Sequence, residues 1–246
     1  MNRRWATRVG RWIWPWSVVL CAVGFFFVAL LLAANGVSTQ VSEEDRQVIT
    51  ELGVDDHCIG VNSYGDELEC VEAVQSAIFE RYPDVSDAFV RGVTGHRVTD
   101  YDERGYGSCY DRAKLIEQTL RHYGFEVRRV ALYEGQDSPL GYVRPGIRSH
   151  ALSEVRTSKG WLVVESIEPF MGVDEQGMPH SVADIRRGLR AGEVDDETFA
   201  AAIPEDFFDG EFVYVYGVYS RHGYFFEPHI PVPEVDWGRF WDNFGR

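Results

Sequence analysis

The chain has 246 residues, with 24 lysines and arginines against 39 aspartates and glutamates, which gives a formal net charge of −15 at pH 7. Because nucleic-acid binding needs a basic stripe that neutralises phosphates, this charge argues against nucleic acid as a partner. It argues equally against electrostatic docking on anionic lipid, and it indicates a soluble, self-repelling surface.

The first 35 residues differ in composition from the rest. Four arginines come first with no acidic residue among them, and residues 13–34 then carry no charge. As a helix this run would span about 33 Å, close to the roughly 30 Å hydrocarbon core of a bilayer. Arginines before the span keep that end in the cytoplasm. We therefore expect a cytoplasmic tip and a single-pass transmembrane anchor in residues 1–35, and a periplasmic or extracellular domain in residues 36–246.

A cleaved signal peptide is the alternative interpretation of the same segment. Its apolar region would be residues 18–32, which is at the long edge for a signal peptide. Span length therefore favours the uncleaved anchor. With cleavage the domain would be secreted, so both interpretations export it.

Three cysteines follow the anchor, an odd number in a compartment that permits disulfides. Cys58 and Cys70 are close in sequence and are separated by a short polar stretch with two glycines. We expect these two to pair, which leaves Cys109 as a free thiol. A metal site that uses His57 is the weaker alternative, since two cysteines and one histidine at irregular spacing do not match a metal-binding pattern.

The predicted elements run from helices to strands. A polar, glycine-bearing loop leads into the helix that begins at Cys109, and Gly124 suits its C-terminal end. A mixed order of helices followed by an antiparallel sheet indicates the α+β class. Aromatic residues in the tail share one helical face, which we interpret as packing rather than membrane contact. The predicted helices are 43–52, 67–82, 109–123 and 181–190, the predicted strands are 125–134, 148–157, 160–168 and 211–220, and the tail aromatics are Trp237, Phe240, Trp241 and Phe244.

Cys109 stands in the first turn of its predicted helix, where the positive end of the helix dipole and unpaired N–H groups favour a thiolate. The same N–H groups can bind the oxyanion of an acyl intermediate. Catalysis also needs a base and a group that orients the base. His122 lies near the far end of the same helix and cannot reach the thiol. His150 begins a strand, and Glu165 lies on the neighbouring strand across a hairpin, so these two complete a workable triad. From spacing alone, a structural role for the cysteine and the histidine is the commoner alternative.

Three sequence blocks, "GSCYDRAKLIEQTLRHYGFEVRRVALY", "HALSEV" and "GWLVVES", resemble the core of the transglutaminase-like superfamily. In that family a glycine and a cysteine open a helix that ends at a glycine, a histidine begins a later strand, and a third strand carries an aspartate. The resemblance covers residues 105–168. It implies a papain/transglutaminase-like core in which the nucleophile helix packs on an antiparallel sheet. It further implies that Cys109 is the nucleophile, His150 the general base and acid, and Glu165 the orienting carboxylate.

The chain departs from the family pattern at two points. Glu165 stands where the family usually has aspartate, so Glu168 and Glu154 are alternatives for the third member. No obvious upstream glutamine completes an oxyanion hole, and Tyr106 or Tyr101 could donate instead.

The resemblance implies an exported hydrolase or acyltransferase that acts on amide bonds of a protein or peptide substrate through a thioester, without a metal or an organic cofactor. The alternative function is a non-catalytic domain that serves as a membrane-anchored binding or interaction module. The presence of both the cysteine and the histidine in the expected blocks favours the enzyme, because a binding module has no physical need for a reactive thiol.

Overall fold

The computed structural model describes residues 6–34, 36–83, 98–134, 149–191, 212–219 and 235–244. The chain divides into two compact units, Met1–Gly36 and Val37–Arg246. In the first unit a helix, α1, covers Ala6–Ala34. Among the residues that the structure describes, no helix is both long and apolar enough to cross a membrane. The predicted anchor is therefore not confirmed, and it stays a prediction.

The second unit holds the remaining described elements, which begin with helices and continue with strands. In chain order they are α2 (Glu43–Thr50), α3 (Asp55–Cys58), α4 (Tyr64–Arg81), α5 (Val98–Arg104), α6 (Cys109–His122), β1 (Glu126–Glu134), β2 (Ser149–Thr157), β3 (Gly160–Val164), α7 (Val182–Ala191), β4 (Phe212–Tyr216), α8 (Trp237–Phe240) and a 3₁₀ turn (Trp241–Asn243).

The described strands form one antiparallel sheet in the order β3-β2-β1-β4. This arrangement confirms the α+β class. In β2 the side chains alternate between the two faces of the sheet, so His150, Leu152 and Glu154 share one face while Ala151 and Ser153 share the other. His150 lies opposite Leu132 of β1, one residue from the start of the strand. The histidine therefore sits at the end of the sheet rather than in its middle.

Helices α4 and α6 pack on one face of the sheet, and α7 packs on the other. Apolar residues of α4 recur at helical spacing and meet the apolar stripe of α6, which explains why both segments form helices here. Burial of each such side chain stabilises the fold by about 1.5–3 kcal/mol. The first cluster includes Val71, Val74, Ile78, Leu115, Ile116, Leu120, Val127, Val155, Leu162 and Val164. The second includes Val130, Leu132, Leu152, Val163, Val182, Ile185, Phe212 and Tyr216.

The predicted disulfide is confirmed. Cys58 at the end of α3 is bonded to Cys70 in α4, with a Cα–Cα distance of 4.8 Å. Cys109 is a free, buried thiol. His57 contacts Glu69 instead, with 3.0 Å between Nδ1 and Oε1. Pairing of the two cysteines removes the thiolates that the alternative metal site would have needed.

The prediction that the tail aromatics pack as one face is wrong in part. Phe240 packs against the cluster of Ala131, Tyr133 and Val218. Trp241 and Phe244, in contrast, are 66% and 68% exposed. The physical reason is that α8 ends at Phe240 and the chain continues as a 3₁₀ turn, whose tighter winding moves the following side chains off the helical face.

Candidate active site

Cys109 is the first residue of α6 and directly follows the N-cap residue Ser108. Oδ2 of Asp111 accepts hydrogen bonds from the Ser108 N–H at 3.1 Å and from the Ser108 hydroxyl at 3.2 Å. These bonds fix where the helix begins. A Cβ on Gly107 would lie 3.0 Å from the Asp111 Cβ, so the glycine permits this close turn. The thiol is therefore held at a helix N-terminus, where the backbone N–H groups of the first turn have no partner within the helix.

His150 is hydrogen-bonded to the Glu165 carboxylate through one ring nitrogen. Nε2 contacts Oε1 closely and lies 3.2 Å from Oε2. The exposed fraction is 2% for His150 and 0% for Glu165, so the pair lies out of contact with water. Glu165 immediately follows β3, and its N–H donates to the carbonyl of Phe170 at 3.0 Å. The end of β3 thus brings the carboxylate beside the start of β2.

The Glu165 carboxylate also accepts two backbone hydrogen bonds from the residues that follow it. The N–H of Ser166 donates to Oε1 at 2.8 Å, and the N–H of Ile167 donates to Oε2 at 3.3 Å. The Ser166 hydroxyl donates to the carbonyl of Ala151 at 2.6 Å, which ties this turn to β2. Both carboxylate oxygens therefore accept hydrogen bonds from the backbone that follows them.

Burial alone would lower the pKa of His150, because it penalises the charged imidazolium. The negative charge of Glu165 outweighs burial, and the side chain of Cys109 adds to its effect, so the pKa rises to about 10. His150 is consequently charged at neutral pH. Because the Cys109 side chain contributes to this pKa, the thiol lies close to the imidazole. The structure thus brings together Cys109, His150 and Glu165, the three residues that the sequence singled out.

The two alternative carboxylates lie elsewhere. Glu154 is buried, and its Oε2 lies 2.6 Å from Nη2 of Arg128. Its Oε1 accepts the N–H of Val182 at 2.7 Å, which holds the start of α7. Glu168 is exposed. Neither carboxylate is therefore positioned like that of Glu165.

The tyrosines considered for the oxyanion hole differ in their surroundings. Tyr101 is fully buried in the cluster between α4 and α6, and the guanidinium of Arg104 lies 4.8 Å from the centre of its ring. Tyr106 is half-buried in the loop before Cys109. The oxyanion role suggested for these residues stays a prediction.

Arg112 joins the nucleophile helix to the turn that holds the carboxylate, and sequence reasoning missed it. Its Nη1 donates to the carbonyl of Ile167 at 3.3 Å and to that of Ser166 at 3.4 Å, while Nε donates to the carbonyl of Tyr82 at 2.8 Å. Arg112 is 4% exposed. Its position one turn after Cys109 was the available signal, because residues i and i+3 share a helix face.

Gln75 of α4 supports the same turn. Its Nε2 donates to the carbonyl of Glu165 at 2.8 Å and to that of Phe170 at 2.9 Å. The signal in the sequence is a polar residue next to Val74 on an otherwise apolar face. A buried amide must be hydrogen-bonded, so its position predicted a partner, although it did not indicate which one.

A buried ionic cluster lies between α6 and the sheet. Arg129 of β1 donates two hydrogen bonds of 3.0 Å to the carbonyl of Tyr110. Glu117 accepts the hydroxyl of Tyr219 at 2.6 Å and lies 3.2 Å from Nη2 of Arg121. Burial would raise the pKa of Glu117, but the surrounding cations lower it below its usual value. The cluster holds the helix that bears the cysteine against the sheet.

A scan against family models gives no match, and a comparison with curated proteins gives none either. The functional conclusion therefore depends on the geometry of the site and on the sequence resemblance described above.

Proposed function

We propose that the domain of residues 36–246 is an exported hydrolase or acyltransferase of transglutaminase-like type that uses a cysteine nucleophile. The observation that carries the proposal is the buried hydrogen bond between Glu165 and His150, with Cys109 close enough to the imidazole to help raise its pKa. Nucleophile, base and orienting carboxylate in this order are the parts that acyl transfer requires. The N-terminal position of Cys109 in α6 supplies N–H groups for an oxyanion. The proposal includes a papain/transglutaminase-like core around these residues.

The reaction begins from a thiolate and an imidazolium. The Cys109 sulfur attacks the carbonyl carbon of an amide, a C–S bond forms, and the oxygen becomes an oxyanion near the first turn of α6. The C–N bond then breaks, and the amine leaves with a proton from His150. Water or a second amine then attacks the thioester carbon and gives its proton to His150. The C–S bond breaks, a carboxylic acid or a new amide leaves, and the thiolate–imidazolium pair is restored.

Glu165 has two effects in this sequence. Its contact with Nε2 fixes the orientation of the ring and leaves Nδ1 to exchange protons with the substrate. Its charge also raises the pKa of His150, so that the imidazolium needed as the acid is present at neutral pH. The carboxylate itself need not exchange a proton.

Export fits the chemistry of the other cysteines. The Cys58–Cys70 disulfide suits an oxidising compartment, because cytosolic proteins rarely keep such bonds. The disulfide therefore agrees with a protein or peptide substrate outside the cytoplasm. The arginines before residues 13–34 agree with an anchor formed by those residues.

The proposal is tested by trapping the acyl-enzyme. The full-length protein, in detergent, is incubated with a library of short amide-containing peptides, and intact-protein mass spectrometry follows mass added to Cys109. We expect an adduct that hydroxylamine removes, which is typical of a thioester. The Cys109→Ser variant should form no hydroxylamine-sensitive thioester. Iodoacetamide should also alkylate Cys109 faster than it alkylates free cysteine at neutral pH, and His150→Ala should slow this reaction.

A non-catalytic binding module is the second candidate, and burial of the site favours it. Cys109 is 7% exposed and His150 is 2% exposed. If the site stays closed, alkylation of Cys109 in the folded protein should be slow and insensitive to His150→Ala, and no peptide should add mass. That result would overturn the enzymatic proposal.

A further inference from the structure

A groove with a volume of about 860 Å³ lies on the face of the sheet that carries α7. This volume falls within the range of roughly 300–1,000 Å³ that is usual for small-ligand sites. Aromatic rings and guanidinium groups dominate its lining, which includes Arg128, Trp161, Arg186, Tyr214, Tyr216 and Trp241.

The floor of the groove is a stacked cation. The guanidinium of Arg128 lies 3.9 Å from the centre of the Trp161 ring and 3.7 Å from that of Tyr216. Glu154 and Asp242 pair with the same guanidinium at 2.6 Å and 3.3 Å. Arg128 is 8% exposed. The two carboxylates balance the charge of Arg128, and the two rings hold its guanidinium in place. Arg128 therefore forms a rigid, flat floor of the groove.

Arg186 differs from the other arginines of the groove. Its Nε is buried, and among the described residues no acceptor binds it. Its guanidinium lies 5.5 Å from the centre of the Tyr214 ring. Leaving a buried donor without an acceptor costs free energy, so such a donor in a groove wall points to an acceptor supplied by a ligand. The neighbouring Arg187 is already paired with Asp184 at 2.9 Å and is largely exposed.

The lining also indicates what kind of anion fits. Arg128 and Arg187 are paired with carboxylates, so the guanidinium of Arg186 is the charge in the lining that favours an anionic ligand. Asp184 and Asp242 line it as well, and they would repel a dense charge such as a phosphate while accepting hydrogen bonds from amide N–H groups. Trp241, which is 66% exposed at the rim, offers an uncovered ring. A single carboxylate, nearby amides and an aromatic side chain are the complementary groups.

We propose that this groove binds a short acidic peptide segment. A carboxylate of the segment pairs with Arg186, and an adjacent aromatic side chain packs on Trp161 and Trp241. Glu154, which contacts the floor, is four residues from His150 along β2, or about 13 Å at the rise of a strand. The bound segment is therefore a docking contact separate from the thiol. The proposal does not depend on the acyl-transfer reaction, since binding is measured without turnover.

The test uses isothermal titration calorimetry on the full-length Cys109→Ala protein in detergent. The probe is an acetylated, amidated hexapeptide of alternating glutamate and phenylalanine, and the control peptide has glutamine in place of each glutamate. We expect the control peptide to bind at least about tenfold more weakly than the acidic peptide. Added salt should weaken binding of the acidic peptide. Equal affinity for the two peptides, or no binding of the acidic one at millimolar concentration, would overturn the proposal.

Variants identify the site within the protein. Arg186→Gln should weaken binding of the acidic peptide by about tenfold. Arg46→Gln is the matched control, because this exposed arginine lies on α2 and pairs with Glu43. Trp241→Ala should weaken binding of both peptides. Far-UV circular dichroism checks that each variant is folded. Unchanged binding by Arg186→Gln, or displacement of the peptide by a nucleoside monophosphate at lower concentration, would contradict an acidic-peptide site.

Discussion

Replacing Glu165 by glutamine removes the charge that keeps His150 protonated. We expect this substitution to lower the turnover rate strongly. The pKa of His150 is raised from 6.5 to about 10 against the opposing effect of burial. At about 1.4 kcal/mol per unit, the imidazolium is stabilised on the order of 5 kcal/mol. Without the carboxylate charge, burial dominates and the pKa of His150 should fall below its ordinary value. His150 would then be neutral at pH 7, and the leaving amine would lose its acid.

Glutamine also cannot reproduce the hydrogen bonds of the carboxylate. Glu165 accepts N–H groups from Ser166 and Ile167 on different oxygens, while His150 contacts both. An amide offers one oxygen, so its NH₂ group must face at least one donor, and a buried donor without an acceptor costs about 1–3 kcal/mol. Turnover should fall by roughly 10- to 1,000-fold. In a serine protease, replacing the orienting carboxylate by an amide costs about 10⁴ in turnover; the loss here should be smaller because a thiolate depends less on its base.

The assay combines peptide turnover with the titration of His150 followed by imidazole NMR signals. In the parent protein His150 should titrate near pH 10, and in Glu165→Gln it should be neutral at pH 7. Glu168→Gln is the matched control, since that side chain is exposed and should leave both readouts unchanged. Full activity in Glu165→Gln together with loss in Glu168→Gln would refute the assignment of the third residue.

Further predictions concern stability and topology. Because the pKa of His150 is raised from 6.5 to about 10, its contribution to stability should be complete below about pH 6.5 and lost as pH rises toward 10, and thermal unfolding of the parent and of His150→Gln across this window measures it. Gly172→Ala should destabilise the protein by about 1–3 kcal/mol, because the added Cβ would lie 2.5 Å from Cγ1 of Val163; an unchanged urea midpoint would contradict this. Replacing both Cys58 and Cys70 by serine should lower the free energy of unfolding by about 3 kcal/mol at most, measured by the same urea titration. In the parent protein, thiol mapping should find a disulfide only between Cys58 and Cys70. Alkaline phosphatase fused after the last residue should be active if the domain is exported, and a fluorescent cytoplasmic reporter at the same place should be dark.

The sequence predicted most of the local structure around the candidate site because local rules govern it. The start of α6 follows from Ser108 as an N-cap with Asp111 in the first turn. Its end follows from Gly124, whose φ of 91° suits a residue without a side chain. The placement of Glu165 beside His150 follows from the predicted hairpin, since the end of β3 lies next to β2, and the contact between the two side chains agrees with it.

Other features depend on contacts between distant segments, and the sequence could not predict them. Gln75 bonds the carbonyl of Glu165 across 90 residues, and Arg112 bonds that of Ile167 across 55. Both side chains are buried polar groups, so a need for partners could be inferred, but partners that are backbone carbonyls of a turn carry no sequence signature. The exposed Trp241 was misjudged for a related reason, since the change from helix to 3₁₀ turn after Phe240 is set by tertiary packing.

The glutamate at position 165 fits the site because the chain leaves the strand just before it. A glutamate is one methylene longer than an aspartate. If it projected straight from a paired strand, that strand and the strand of the histidine would need to lie further apart. Glu165 instead begins the turn after β3, and its side chain bends back so that its oxygens meet the N–H groups of Ser166 and Ile167 as well as His150. The extra length is thus absorbed by the bend rather than by displacement of β2 from β3. Because Arg112 holds the carbonyls of this turn from α6, the position of the carboxylate and that of the thiol are set by the same contacts.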